Sequence, residues 1–533
     1  MERIYSNPII PGFFPDPTIC RVGEDYYLAT SSFELFPALP VFHSRDLVNW
    51  EWLGCALDRT EQVYLDANLF SGGMMAPTLR WNNGTFYMIC CNFADSGNFM
   101  ITAKDPAGPW SLPVMLPEVD GIDASLFFEE DGTCYVTSTG TFEFSDGREQ
   151  AIWGARFDPD TGKLLSEKKI LWRTALRGAP SPEAPHLYHI GDWYYILTAE
   201  GGTEHYHSVV FGRCREPLGV YEGYPGNPVL THRHLGRNYP IGNPGHADLV
   251  ETQNGEWYAV FLASRLVDGF HKNLGRETYM VPVEWEDGWP VFSPGTGKVE
   301  WSYPAPNLPA GAPAEPVPET DHFESEKLAL HWAFWGTPYQ DFWKVEDSCL
   351  MLKTLHRPLA RPLRKIDMSA APVKRYDDNV SCLLRRQCQP NFDASCRVRF
   401  APEEGEGAGL MLFQQCNHQL RVEKRAGEIR VVLAECKVDC PPFLPMFRDT
   451  TTETVLTCVP CHEEEVTLRI TGKGQDLTIY CNDDLLCHVD GRRINPEELG
   501  PMTGTMVGMF AAADEEEKDD WAAFDWFSYH EET

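Results

Sequence analysis

The chain lacks the features that place a protein in a membrane, on nucleic acid or in an oxidising compartment. No run approaches the ~20 consecutive apolar residues that a membrane helix needs. The start, MERIYSNPIIPGFF, carries only short apolar stretches broken by Pro and Gly, so no signal peptide is expected. Positive charge is scarce: 45 Lys and Arg face 78 Asp and Glu, a net charge of −33. A field of that sign repels nucleic acid and anionic lipid, which excludes both as partners. Acidic stretches such as Asp514–Asp520 read as solvated loops. A paired-cysteine framework is missing too. The 17 cysteines are odd in number and scattered, several of them (Cys90, Cys91, Cys134) inside strand-like runs. They read as free thiols of a reducing compartment, so a cytoplasmic location is expected. Helical periodicity is almost absent from the first 300 residues.

What fills those residues is a phrase that occurs five times. The copies read DPTICRVGEDYYLATS from Asp16, APTLRWNNGTFYMICC from Ala76, DASLFFEEDGTCYVTS from Asp123, EAPHLYHIGDWYYILT from Glu183 and HADLVETQNGEWYAVF from His246. A G-x-x-Y anchor sets the register: Gly23/Tyr26, Gly84/Tyr87, Gly132/Tyr135, Gly191/Tyr194 and Gly255/Tyr258. Successive tyrosines are 61, 48, 59 and 64 residues apart. A strand-rich unit recurring at such a period is the signature of propeller blades. The expectation is an all-β chain whose residues 1–304 form a five-bladed β-propeller.

Residues 305–319 are dominated by Pro and Ala and read as an extended linker, not a packed element. From 320 to 533 strand signals resume without the anchor, many alternating apolar and polar residues. That pattern predicts a β-sandwich, jelly-roll-like, of a dozen or so strands packing on the propeller.

The first strand of each propeller blade lines the axis, so the residues opening the five phrases converge. They are Asp16, Ala76, Asp123, Glu183 and His246. The alignment has one irregularity: Ala184-Pro185-His186-Leu187 matches Ala76-Pro77-Thr78-Leu79, so Glu183 stands one residue ahead of register. An offset or a bulge is needed to bring it inward. A lone strand-terminal Asp is ordinarily a turn or cap residue. Three carboxylates and a histidine at equivalent positions are different, because gathered carboxylates repel and their desolvation costs several kcal/mol each. Two carboxylates across a sugar-sized gap are the machinery of glycoside hydrolysis, and a third can hold the acid's pKa up. Phe33, just after the first phrase, is a candidate aromatic wall for a sugar ring.

The phrases NPIIPGFFPDPTICRVGEDYYLATSSFELFPALPVFHSRDLVNW, SGGMMAPTLR, GIDASLFFEEDG, SPEAPHLY, GHADLVE and LGRETYMVPVEWEDGWPVF resemble glycoside hydrolase family 43, nearest to its two-domain β-xylosidases and α-L-arabinofuranosidases. The resemblance extends to the second half through Ala408–Gln414 and Phe524–Tyr529. It implies an exo-acting, inverting enzyme that releases terminal α-L-arabinofuranose or β-D-xylose from xylan- or arabinan-derived oligosaccharides. Asp16 then corresponds to the general base, Glu183 to the general acid and Asp123 to the residue that tunes and orients the acid. Arg276 corresponds to an arginine that contacts the bound sugar. His246 corresponds to an axial histidine that supports the cluster and, in some relatives, helps hold a calcium ion in the channel. Inversion implies carboxylates about 6.5–9.5 Å apart, leaving room for water. Met75 stands where xylosidase-like members often carry Trp, so the sugar subsite is expected to differ there. The sandwich of such enzymes lends an aromatic to the pocket, and Trp521 is the candidate.

Two other patterns compete for attention. Cys436, Cys440, Cys458 and Cys461 have spacing like that of a zinc ribbon, but free thiols are the favoured alternative in so Cys-rich a chain. C-x-x-C-H, ending at His462, resembles a haem attachment and is set aside for want of an export signal. No cofactor is otherwise required. The alternative function is a non-catalytic carbohydrate-binding propeller, which would have no reason to keep all three carboxylates. Homo-oligomerisation is left open.

Overall fold

The computed structural model describes residues 3–532 except 68, 70, 146, 176–180, 357, 363–372, 439–448, 495–501, 515–517 and 519. No α-helix occurs among the described residues, and one short 3-10 turn, Gly491–Ile494, interrupts an otherwise all-strand chain. Five antiparallel sheets come first, each built from consecutive strands in sequence order. Their first strands are Thr18–Val22, Thr78–Asn82, Ser125–Phe128, Glu183–Ile190 and Ile241–Glu251. Each of these touches the first strand of the next sheet, and the fifth touches the first, which closes the ring. This is the five-bladed propeller that the repeat predicts.

The anchor glycine of every phrase turns the hairpin between a blade's first and second strands. All five adopt positive φ, between 59° and 87°. An added Cβ would meet nothing within 4 Å at any of them, so the demand for glycine is conformational, not spatial. The ring is latched at its ends. Ile4–Ser6 pairs with Ser302–Pro304, and the Asn7 side chain donates to the carbonyls of Met280 and Glu300.

The linker is more tied down than its composition implies. Gly311 N donates to Asp46 Oδ2 at 2.8 Å, Asn307 N to Glu256 Oε2 at 2.9 Å, and Leu308 is buried. Its proline-poor positions keep free N–H groups, and carboxylates of blades 1 and 5 accept them.

The second half forms two facing sheets of eight and seven strands. Phe392–Arg399 and Glu465–Lys473 alternate buried residues with partly or fully exposed ones, the period-two pattern of a half-buried strand. Propeller and sandwich share apolar surface. Phe13, Phe33 and Leu35 pack in one cluster with Trp335, Phe413 and Phe510. Leu35–Phe36 and Phe334–Trp335 pair as a two-stranded ribbon across the boundary. The sandwich also braces the loop after the second strand of blade 5: Gln475 Nε2 donates to Asn273 Oδ1 at 2.8 Å, and Thr505 N to the Asn273 carbonyl.

Candidate active site

At the entrance to the first strands the backbone leaves ordinary strand geometry in a repeated way. Asp16, Asp123, Ala184 and His246 have φ of 54°, 55°, 51° and 54°. Ala184 is therefore the register equivalent of the two aspartates and the histidine, and Glu183 sits one residue before it. A bulge between Glu183 and His186 accompanies the offset. For non-glycine residues this left-handed conformation is strained, and it aims the opening side chains at the axis.

Asp16 is 4 % exposed and fully engaged. Arg276 Nη1 donates to its Oδ1 at 2.9 Å, Ser31 Oγ donates to its Oδ2 at 2.6 Å, and His246 Nδ1 lies 3.5 Å from Oδ1. Burial alone would raise its pKa, but Arg276, His246 and Ser31 outweigh burial and hold the carboxyl below its ordinary value. Asp16 is ionised.

Glu183 is in the opposite state. Burial, and then the charge of Asp16, push its carboxyl up to about 7. Asp123 is raised well above the carboxylate range by burial, by Glu183 and by Asp16, and its Oδ2 accepts from Ala184 N at 3.2 Å. Asp123 and Glu183 titrate as a unit that keeps a proton near neutrality. Sequence reasoning gave the tuning of Glu183 to Asp123; in the structure the charge that raises Glu183 is that of Asp16.

Arg276, 3 % exposed, also donates from Nη1 to Thr203 Oγ1 at 3.2 Å, and its guanidinium lies 5.4 Å from the ring centre of Phe33. Phe33 is 2 % exposed and stacks with Phe13 at 5.8 Å, so it forms the wall beneath Arg276. Met75 packs at the edge of the same apolar cluster. Asp16, Asp123, Glu183, His246, Arg276, Phe33 and Met75 thus gather around one centre.

Trp521 does not join them. It opens the last strand, Trp521–Glu531, with Lys344 Nζ 5.1 Å from its ring centre. The end of that sheet which comes near Arg276 is the other one, where Gln475 meets Asn273. Ten residues of strand separate the two ends, about 30 Å at ~3.3 Å per residue. Residues of the sandwich near Arg276 are instead Thr503 and Gly504, packed against Gly275.

Three partners escaped the sequence reasoning: Ser31, Thr203 and His207. Ser31 was within reach. Thr18 pairs with Ala29, so the same hairpin register carried two residues further sets Asp16 against Ser31. Thr203 and His207 lie on a loop without repeat pattern. His207 Nδ1 donates to the Asn243 carbonyl at 3.0 Å, and its ring fills the space that a Cβ on Gly245 would need.

The channel below does not suit the calcium ion that the resemblance implies. Its carboxylate, Asp248, accepts from Arg80 Nη1 at 2.8 Å, Thr18 Oγ1 at 2.8 Å and Tyr188 Oη at 2.7 Å. Arg80 Nη2 donates to His186 Nδ1 at 3.0 Å. A guanidinium already supplies the positive charge there, while calcium takes six to eight oxygen ligands. His246 itself is turned to Asp16. The zinc quartet does not converge either. Cys436 pairs with Thr451 and Cys458 with Arg430, which sets these two thiols six residues apart along the ladder, about 20 Å. Cys440 lies outside the described residues.

A buried, ionised carboxylate and a half-buried, protonated one, gathered with an arginine at the mouth of a propeller, are the equipment of a glycoside hydrolase. Comparison with known proteins agrees. Glycosyl hydrolases family 43 matches residues 5–290, and the beta xylosidase C-terminal concanavalin A-like domain matches residues 320–530. The chain belongs to glycoside hydrolase family 43. It is 37 % identical over 540 residues to a xylosidase/arabinosidase of Butyrivibrio fibrisolvens, covering 99 % of each chain. It is 36 % identical over 549 residues to a non-reducing end alpha-L-arabinofuranosidase of Bacteroides ovatus, covering 99 % of this chain and 95 % of the relative. Among solved structures, xylan beta-1,4-xylosidase from Bacillus halodurans C-125 superposes with a TM-score of 0.85 at 29 % identity, over 99 % of this chain and 100 % of the other.

Proposed function

We propose that this enzyme removes a terminal pentose from xylan- or arabinan-derived oligosaccharides with inversion, taking α-L-arabinofuranose in preference to β-D-xylopyranose. The observation that carries the mechanism is the split between Asp16 and Glu183: one buried carboxyl held ionised by Arg276, the other held protonated near neutrality. Asp16 takes a proton from a water as that water attacks the anomeric carbon. Glu183 protonates the departing glycosidic oxygen from the opposite side. Arg276 fixes Asp16 and faces the sugar, while Asp123 shares the acid's proton. No step is routed through a metal.

The arabinofuranoside preference is supported by Met75, a flexible apolar residue where a rigid tryptophan face would favour a flat pyranose ring. It is supported also by the alpha-L-arabinofuranosidase name of the full-length relative at 36 % identity. Fifteen of the described cysteines, Cys90, Cys91 and Cys134 among them, form no disulfide, which supports action in the reducing cytoplasm on oligosaccharides already shortened. Hydrolysis of 4-nitrophenyl α-L-arabinofuranoside and 4-nitrophenyl β-D-xylopyranoside, run side by side, tests the assignment. A higher kcat/KM on the arabinofuranoside is expected; preference for the xyloside overturns the specificity, and inertness to both overturns the function.

A further inference from the structure

Blade strands run alternately away from and towards the catalytic face. The second strands of blades 4 and 5, Trp193–Glu200 and Trp257–Arg265, both end on the face where the first strands Glu183–Ile190 and Ile241–Glu251 begin: Ala199 pairs with Glu183 and Arg265 with Ile241. The segments 201–207, 224–240 and 266–276 therefore rise from that face. Between them lies a cleft of about 380 Å3 whose lining includes Tyr206, Tyr239, Asn243, Phe270 and Lys272.

The cleft pairs exposed rings with a fixed polar floor. Tyr206 is 59 % exposed and Phe270 49 % exposed, although both are large aromatics in a chain with ample core to bury them. The floor is ordered: Lys272 and Asn243 are 8 % and 3 % exposed, Lys272 Nζ donates to Glu204, and Asn243 Nδ2 donates to the Thr203 carbonyl at 3.1 Å. Aromatic faces over a polar, hydrogen-bonding floor suit a sugar, whose ring has an apolar C–H face and a hydroxyl rim. Hydrogen bonds tie the floor of the cleft to the reaction centre. Asn243 lends its carbonyl to His207, and Thr203 accepts from the same Arg276 nitrogen that holds Asp16.

We propose that this cleft is a glycan subsite that holds a further pentose unit of the oligosaccharide, with Tyr206 and Phe270 as its stacking faces. The inference rests on the exo-pentosidase assignment. An enzyme that cuts the terminal unit leaves every other unit of the chain on the leaving-group side, so a second sugar site belongs to that side. The Lys272–Glu204 pair in its lining offers both a donor and an acceptor, which suits the hydroxyl rim of a neutral sugar.

The test uses the full chain carrying Glu183→Gln, so that substrate is bound and not cut. Calorimetric titration with free arabinose and with arabinotetraose gives a Kd for each. The tetrasaccharide is expected to bind more tightly, and adding Tyr206→Ala with Phe270→Ala is expected to lower the ratio of the two affinities about tenfold. Tyr206→Phe should keep the ratio, since it keeps the ring. A tetrasaccharide that binds no better than the monosaccharide, or a ratio unmoved by the double substitution, overturns the subsite. A parent that binds neither sugar, joined to a wild type that hydrolyses no pentoside, would instead remove the pentosidase assignment beneath it.

Discussion

Asp16 and Glu183 carry the same functional group and are set to opposite proton states by their neighbours. Arg276, His246 and Ser31 compensate Asp16 for its burial; Glu183, half-buried, is desolvated beside Asp16's charge. The alkaline limb of kcat/KM should therefore fall near pH 7, where Glu183 loses the proton it must donate. The acid limb should lie below the ordinary carboxylate range, because Asp16 stays ionised there; a pH–rate profile measures both. Asp16→Asn and Glu183→Gln should each cost roughly 10²–10⁴-fold in kcat/KM on a substrate with a poor leaving group. Glu183→Gln has a second consequence. A carboxyl whose folded pKa is raised from its ordinary 4.5 to about 7 costs the fold stability once pH rises through that window. The substitution should raise stability by about 3 kcal/mol at pH 8 and by nothing below pH 4, readable from denaturant unfolding at the two pH values. At this scale the sequence was informative where a residue stood in the repeat. Asp16, Asp123 and His246 were found from register alone, and Ser31 follows from the same hairpin. Arg276 came from resemblance, because its loop repeats nothing, and Trp521 failed because an aromatic near the chain end says nothing about which end of a strand lies beside Arg276.

The blade hairpin is the element that turns a repeated phrase into a converged site. Its glycine turn was legible in G-x-x-Y, and the offset of Glu183 was legible as a one-residue misalignment, with the bulge supplying the geometry. Unreadable from sequence was the packing at the top of blade 5, where Gly245 gives room to His207. A Cβ there would lie 2.3 Å from the ring. Gly245→Ala should displace His207 and the adjacent His246, and lower kcat roughly 10- to 100-fold while circular dichroism stays native. The channel below makes a further prediction. With Arg80 paired to Asp248 inside it, dialysis against a chelator should leave kcat/KM unchanged, and a loss restored by calcium would contradict this reading of the channel.

At the level of the whole molecule the two domains are one folding unit in the vicinity of the pocket. Phe33, under Arg276, shares its apolar cluster with Trp335, Phe413 and Phe510 of the sandwich, and sandwich residues pin the loop that ends at Arg276. Residues 1–304 produced alone should expose that cluster, aggregate or melt at lower temperature, and lose activity; thermal denaturation and assay of the truncated chain check this. Composition suggests a boundary between the halves and says nothing of how closely they fit, since alternating strands reveal which face is buried and not against what.

The chemistry assigned to Asp16 has a direct signature, because a base that activates water inverts the anomeric centre and a nucleophile retains it. Proton NMR of the first sugar released from 4-nitrophenyl α-L-arabinofuranoside, recorded before mutarotation, reads the outcome. β-L-arabinose as the initial product is predicted; initial α-L-arabinose would show that Asp16 does not act through water.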